Sequence, residues 1–139
     1  MKRMRCCVLL PVAFLACARA GEPSVESYAH GAYQPQPVSA YEITGARDGA
    51  TTDATGVFTL ENGDRLSVEL HVAYNPTPVL ADGHWRSEGS TVEEGEVREE
   101  SLTFLGGQGG TPSVGGRFRL ETNGQPRWRV VMPTQPLKK

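Results

Sequence analysis

The stretch LSVELHVAY, residues 66–74, decides the fold class of this chain. Apolar side chains stand at every second position from Leu66 to Val72, with polar or small residues between them. Period-two alternation lines up one face of a β-strand, whereas an amphipathic helix needs a period of about 3.6 residues. The pattern therefore predicts a half-buried strand whose apolar face is directed toward a core.

Similar alternation recurs along the chain, and the 16 Gly and 10 Pro residues favour turns over long helices. Further strands are predicted over residues 40–44, 56–60, 84–86, 96–105, 116–121 and 127–132. We predict an all-β domain of about six to eight antiparallel strands, built as a small barrel or as a two-layer sandwich. The barrel option resembles a calycin-like barrel, although no calycin signature motif is present.

Two segments of the chain share one hairpin pattern. They are GVFTLENGDRLSV, residues 56–68, and GRFRLETNGQPRWRV, residues 116–130. Asn-Gly between alternating apolar residues predicts a hairpin, because both residues tolerate a positive φ. Pairing parity predicts a three-residue loop in the first hairpin, with Phe58 opposite Leu66 and Gly63 left-handed. The same reasoning places Phe118 near Trp128, and it leaves open whether the two segments are a duplication.

The inward positions of these strands define the predicted core. Its members are Phe58, Leu60, Leu66, Val68, Leu70, Val72, Leu102, Phe104, Phe118, Leu120, Trp128, Val130 and Met132. Trp85 is predicted to plug one end of the barrel, with stacking on a ligand as the alternative.

The first twenty residues have the pattern of a bacterial-type secretory signal. Lys2, Arg3 and Arg5 form a basic head, and residues 6–16 are almost entirely apolar. That apolar run is shorter than the roughly 20 residues that a membrane-spanning helix needs. We therefore predict export, with residues 1–20 as the signal peptide.

Two cleavage sites are compatible with this signal. Ala18-Arg19-Ala20 has small residues at the two positions that enter the peptidase pockets, so a cut after Ala20 releases a periplasmic or secreted protein. Phe14-Leu15-Ala16-Cys17 resembles a bacterial lipobox, with Phe14 where lipoboxes usually carry Leu. In that alternative Cys17 is lipidated and anchors the protein to a membrane. The soluble product is the favoured prediction.

Composition restricts the chemistry of the exported chain. All three cysteines lie at or before position 17, so a chain cut after Ala20 has no disulfide, thiol nucleophile or thiolate metal site. It carries ten basic and sixteen acidic residues, a net charge of −6, which disfavours binding to nucleic acid or anionic membranes. Residues 21–38, with three prolines, are predicted to form a flexible arm before a single β domain over residues 39–139.

Four arginines form the main candidate site. Alternation places them together on the polar face of the second hairpin: Arg117, Arg119, Arg127 and Arg129. Guanidinium groups recognise carboxylates and phosphates, so these residues are predicted as a possible partner-binding patch. Plain exposure on the sheet exterior and neutralisation by the glutamate-rich segment 87–100 are the alternatives.

Other sequence features give weaker candidates. The Gly-rich stretch 105–117 lacks the P-loop pattern, and Ser113 lacks the preceding glycine of a nucleophile elbow. Glu69 and His71 share one strand face, but a metal site needs a third ligand. The glutamates over residues 93–100 suit a glycosidase only if one is held protonated. We predict no catalytic residue, no metal and no cofactor.

The functional hypothesis is an exported, non-catalytic β domain that binds a protein partner in the envelope or a secreted enzyme. Long Gly- and Pro-rich loops on a rigid scaffold are typical of recognition domains. One alternative is a carrier of a small apolar ligand in a barrel cavity. The other is a hydrolase that uses carboxylates.

Overall fold

The computed structural model describes residues 21–74, 76–105 and 111–137, which form nine strands and no helix. The strands are β1 (Ser24–Ala29), β2 (Ala32–Gln36), β3 (Val38–Asp48), β4 (Thr51–Leu60), β5 (Arg65–Tyr74), β6 (Pro78–Glu88), β7 (Glu93–Leu105), β8 (Ser113–Thr122) and β9 (Gln125–Pro136). Each predicted strand lies within one of β3 to β9, so the all-β prediction is confirmed. The predicted signal peptide and Cys17 lie outside the described residues. Within those residues, no helical segment has the length and apolar character needed to traverse a membrane.

All nine strands belong to one antiparallel sheet rather than to two packed layers. Its strand order is β2-β1-β9-β8-β7-β6-β5-β4-β3. Strands β3 to β9 follow one another as a meander, and the β1–β2 hairpin adds at the β9 side. This hairpin explains why the sheet has more strands than the six to eight that were predicted.

The prediction of a flexible arm over residues 21–38 was wrong where β1 and β2 form. Val25 pairs with Val130 of β9, and its side chain is only 1% exposed. The pattern was missed because β1 buries a single apolar side chain while Glu26 and Tyr28 lie on the outer face. The backbone ladder to β9, rather than apolar periodicity, holds this hairpin in place.

The two ends of the sheet meet at Pro37. β2 ends at Gln36 and β3 begins at Val38, although these strands lie at opposite ends of the strand order. Consecutive Cα atoms are only 3.8 Å apart, so the sheet must curl until its edges touch there. A Cβ added to Gly56 of β4 would lie 3.6 Å from Met132 Sδ of β9, across the interior. The result is a curled half-barrel with the core on its inner face.

The core confirms ten of the thirteen predicted members. Leu102, Phe104 and Trp128 are only partly buried against it. The core also contains apolar side chains that were not predicted: Val25, Ile43, Ala54, Trp85, Val114 and Leu137. Sequence alternation thus identified ten of the sixteen buried apolar side chains.

Trp85 belongs to this core. Its side chain is 2% exposed, and its Nε1 donates to the Glu121 carbonyl oxygen at 2.9 Å. The bond passes Gly95 of β7, where an added Cβ would lie 1.9 Å from the same oxygen. Glycine at position 95 therefore allows the indole to reach β8.

The two Asn-Gly hairpins close differently. In the first, Phe58 lies opposite Leu66 and Gly63 has a φ of 98°, as predicted. In the second, the predicted register was wrong, since Phe118 lies opposite Val130. The turn there has only two residues, Asn123 and Gly124, with φ of 54° and 79°. An extra residue in β9 then restores the inward face of the strand, because Leu120 pairs with residue 128 and Glu121 with residue 126.

Candidate functional site

Three of the four predicted arginines gather around one carboxylate on the outer face of β7, β8 and β9. Arg129 Nε lies 3.3 Å and Arg117 Nε 3.6 Å from Glu100 Oε1. Arg119 Nη1 lies 3.7 Å from Glu100 Oε2. We call these four residues, together with Tyr33, the arginine cluster.

A β-bulge places Glu100 in the cluster. The ladder between β7 and β8 passes from the Glu99–Phe118 pair directly to the Ser101–Arg117 pair, so Glu100 has no partner strand residue. The extra residue bends β7 and turns the Glu100 carboxylate toward the arginines, where its side chain is 22% exposed. Within the cluster, the glutamate-rich segment thus reaches the three arginines through Glu100.

Further carboxylates hold the guanidinium groups in position. Arg119 Nε donates to Glu121 Oε2 at 2.7 Å, and Arg98 Nε donates to the same oxygen at 3.3 Å. The hydrogen bond to Glu121 raises the pKa of Arg119 above its usual value. Arg129 Nη1 donates to Glu26 Oε1 of β1 at 3.1 Å. These bonds link β7 to β8 and β9 to β1 through their side chains.

The ion-pair network of the cluster contains one more cation than carboxylate. Each of the cations contacts at least one carboxylate, yet the cations outnumber the carboxylates by one. The groups involved are Arg98, Arg117, Arg119 and Arg129 against Glu26, Glu100 and Glu121. A cleft of about 630 Å³ lies beside the cluster, and its charged lining consists of Arg98 with Glu96, Glu99 and Glu121.

Tyr33 of β2 adds a neutral hydrogen-bond donor. The Arg129 guanidinium lies 4.0 Å from the centre of the Tyr33 ring, and the Tyr28 ring packs edge-on against it at 4.9 Å. Burial raises the pKa of the Tyr33 hydroxyl above its usual value, so this group stays protonated at neutral pH.

Two buried donors of the cluster have no hydrogen-bond partner among the described residues. They are the Tyr33 hydroxyl and Arg129 Nε, whose contact with Glu100 lacks hydrogen-bond geometry. Most buried polar groups in folded proteins are paired, because an unpaired one costs about 1–3 kcal/mol of desolvation. The described residues therefore leave the hydrogen-bonding capacity of these two donors unused.

The fourth predicted arginine, Arg127, lies apart from the cluster. It is the extra residue of β9, and its Nε and Nη2 donate to the two carboxylate oxygens of Glu93 at 3.2 and 2.6 Å. This bidentate pair satisfies the guanidinium within the sheet. The structure thus divides the predicted patch into a three-arginine cluster and one separate ion pair.

The remaining candidate residues are dispersed. His71 pairs with Asp53 of β4 rather than sharing a ligand with Glu69. Across residues 21–74, 76–105 and 111–137, no three His, Cys, Asp or Glu side chains are grouped to hold a metal ion. Ser113 begins β8, whereas residues 106–110 of the Gly-rich stretch lie outside the described residues.

Sequence reasoning missed Tyr33 and Glu26 because both were assigned to the flexible arm. A usable signal was present in residues 24–36, where His30-Gly31 stands between two short segments that contain tyrosines. Both turn residues have a positive φ, 53° and 81°, as in a two-residue hairpin. Glu100 carried no such signal, since the position of a bulge depends on the partner strand.

No protein-family model, curated protein or solved structure matches this chain. The chemistry of the arginine cluster therefore carries the functional argument. Three guanidinium groups surround the Glu100 carboxylate, and the neutral Tyr33 phenol, also a donor, packs its ring against one of them. Hydrogen-bond donors of this kind are chemically suited to an anion.

Proposed function

We propose that this chain is an exported, non-catalytic β domain that binds a protein partner through a carboxylate placed in the arginine cluster. The observation that supports this is that two buried donors, Tyr33 Oη and Arg129 Nε, have no hydrogen-bond acceptor among the described residues. A carboxylate offers two oxygens with four lone-pair sites and would accept from both donors.

Glu100 supports the choice of a carboxylate as the ligand. Its oxygens lie 3.3 to 3.7 Å from three guanidinium groups. Charge-assisted hydrogen bonds to carboxylates are shorter, about 2.7–2.9 Å. Glu100 therefore contacts the guanidinium groups at distances longer than a charge-assisted hydrogen bond, and as the bulged residue of β7 it has no ladder partner that its displacement would break. The incoming carboxylate belongs to an acidic side chain or to a chain terminus of the partner.

Export and the finer architecture belong to the same proposal. The N-terminal signal pattern supports a periplasmic or secreted protein cut after Ala20, with lipidation at Cys17 as the alternative. The meeting of both sheet edges at Pro37 supports a calycin-like barrel. The ligand-carrier alternative ranks lower, because the inward-facing Phe58 and Phe118 already have their apolar surface fully covered.

Titration with a short glutamate-containing peptide tests the proposed site. Both this peptide and a matching glutamine peptide are acetylated and amidated at their ends, so that the glutamate side chain is the one carboxylate that differs. Nuclear magnetic resonance of the purified protein should show shifts at the Arg129 Nε–H and at Tyr33 with the glutamate peptide, and the glutamine peptide should cause none. Arg119→Gln should weaken binding by about tenfold or more, the loss expected for one charge-assisted bond. Arg127→Gln is the matched control, since its partner Glu93 lies outside the cluster, and it should bind normally.

Glu100→Gln distinguishes a binding site from an internal ion-pair network. If the cluster binds a partner carboxylate, this variant should bind the glutamate peptide more tightly, because the competing internal anion is gone. If the cluster is only structural, the variant should lose thermal stability and gain no affinity. That result, or equal shifts with both peptides, would overturn the proposed function.

A further inference from the structure

The two edges of the sheet are protected to different degrees. β2 has five residues, contains Pro35 and is followed by Pro37, and proline blocks further strand pairing. β3 has eleven residues and no proline. One side of β3 pairs with β4, while the other side has no strand partner in the described part of the chain. β3 is therefore the open edge of the sheet.

The side chains of β3 alternate between an apolar inner face and an acidic outer face, and an added strand would have to match both. Tyr41 and Ile43 pair with Phe58 and Gly56 and so lie on the inner face. Tyr41 is nevertheless 38% exposed, because no strand covers it on the edge side. An added strand would cover apolar surface at these two positions.

The outer face of β3 is acidic. Its outward positions comprise Glu42 and Asp48, with small or neutral residues between them and no basic residue. Arg47 is on the inner face, where its Nε donates to the Gly49 carbonyl oxygen. Behind the edge, Asp53 of β4 is paired with His71. Glu42 and Asp48 would therefore lie next to the outward side chains of any strand that pairs with this edge.

We propose that β3 accepts an extended segment of a partner protein by strand addition, and that this segment alternates basic and apolar residues. Main-chain hydrogen bonds to the open edge provide affinity, and the alternating side chains provide specificity. Basic residues on the outer face lie opposite Glu42 and Asp48, while apolar residues pack against Tyr41 and Ile43. The arginine cluster is on β7 to β9, so this surface is independent of the carboxylate site.

A second copy of this chain fits the edge less well. Two-fold pairing centred on Thr44 would place Glu42 opposite Ala46 and leave the acidic group without a cation. Pairing centred on Gly45 would place Glu42 opposite Asp48, and like charges directly opposite one another destabilise a sheet. Charge complementarity thus favours a basic segment.

A peptide of about ten residues that alternates Lys and Val, close to the usual length of a strand, tests this edge. Calorimetry should detect its binding, whereas a peptide alternating Glu and Val should not bind. The double variant Glu42→Lys, Asp48→Lys should weaken binding by about tenfold or more. Glu69→Lys is the matched control, because Glu69 is exposed on the outer face of β5, away from the edge, and it should bind normally.

Backbone methylation tests strand addition directly. Only alternate N–H groups of an added strand point toward its neighbour, so two peptides methylated at alternate nitrogens should differ, one binding and one not. Equal binding of both would show that side-chain charge alone attracts the peptide and would overturn the proposal. If the protein forms a dimer without peptide and Thr44→Pro disrupts that dimer, the edge pairs with a second copy of the chain, and the proposal is overturned.

Discussion

The hairpins β4–β5 and β8–β9 start from nearly the same sequence pattern and serve different purposes. Their inner faces are equivalent, since Phe58 and Phe118 are both completely buried. Their outer faces differ, because the first carries mainly valine, threonine and serine beside its turn, while the second carries the arginines of the cluster. The inward pattern specifies the curled sheet, and the outward positions are free to acquire a binding site.

The turns show a second difference between the hairpins. The first closes with three residues, and Gly63 N donates to the Leu60 carbonyl oxygen at 2.9 Å. The second closes with two residues and gains an extra residue in β9. Both solutions keep apolar residues on the inner face, because a register error of one residue would turn every side chain around. The burial requirement therefore decides the loop, and the Asn-Gly motif alone does not.

The largest expected effect tests the equivalence of the inner faces. Phe58→Ala and Phe118→Ala should each lower the free energy of unfolding by about 3–5 kcal/mol, because both leave a cavity in the same core. Denaturant titration measures the loss, and Tyr41→Ala at the half-exposed edge should cost clearly less. A large difference between the two phenylalanine variants would contradict the equivalence.

A smaller effect should separate the two turns. Asn123 has a φ of 54°, so Asn123→Ala should cost about 1–2 kcal/mol while Asn123→Gly should cost much less. Asn62 has no positive φ, and its side chain accepts from Asp64 N at 2.8 Å. Alanine and glycine at position 62 both lose that bond, so glycine should bring no advantage there. The same denaturant titration decides, and a glycine advantage at position 62 would contradict the assigned turn types.

The smallest effect concerns Tyr33 of β2, whose ring packs against Arg129 on the outer face of the second hairpin. Burial raises the pKa of Tyr33 from 10.0, so the folded state holds this proton more tightly than the unfolded state. The resulting stabilisation is present below pH 10 and is lost as the pH rises through the folded-state pKa. Tyr33→Phe should therefore lose less stability than the wild-type protein on moving from about pH 9 to 11. Tyr41→Phe serves as the control for removal of an edge hydroxyl, and identical pH profiles for wild type and Tyr33→Phe would contradict burial of the phenol.

Much of the fold was accessible from local sequence. Alternation over residues 66–74 identified β5, and parity gave the first hairpin its loop and its Phe58–Leu66 pair. The same reasoning failed for the second hairpin. A two-residue turn followed by a bulge places the same side chains on the inner face as a three-residue turn, so parity does not distinguish these two arrangements. For the candidate site, alternation predicted that the four arginines share an outer face. It did not predict that Arg127 lies apart from the other three and pairs with Glu93.

The sequence by itself determined an all-β chain with one apolar face, because successive side chains of a strand point to opposite faces and the alternation can be read locally. The tertiary structure decided which strands meet and which side chains form the cluster. Glu26 and Arg129 are 103 positions apart and bond only because β1 lies beside β9. The Glu100 bulge and the meeting of both edges at Pro37 likewise arise from pairing between distant segments, which no local pattern records.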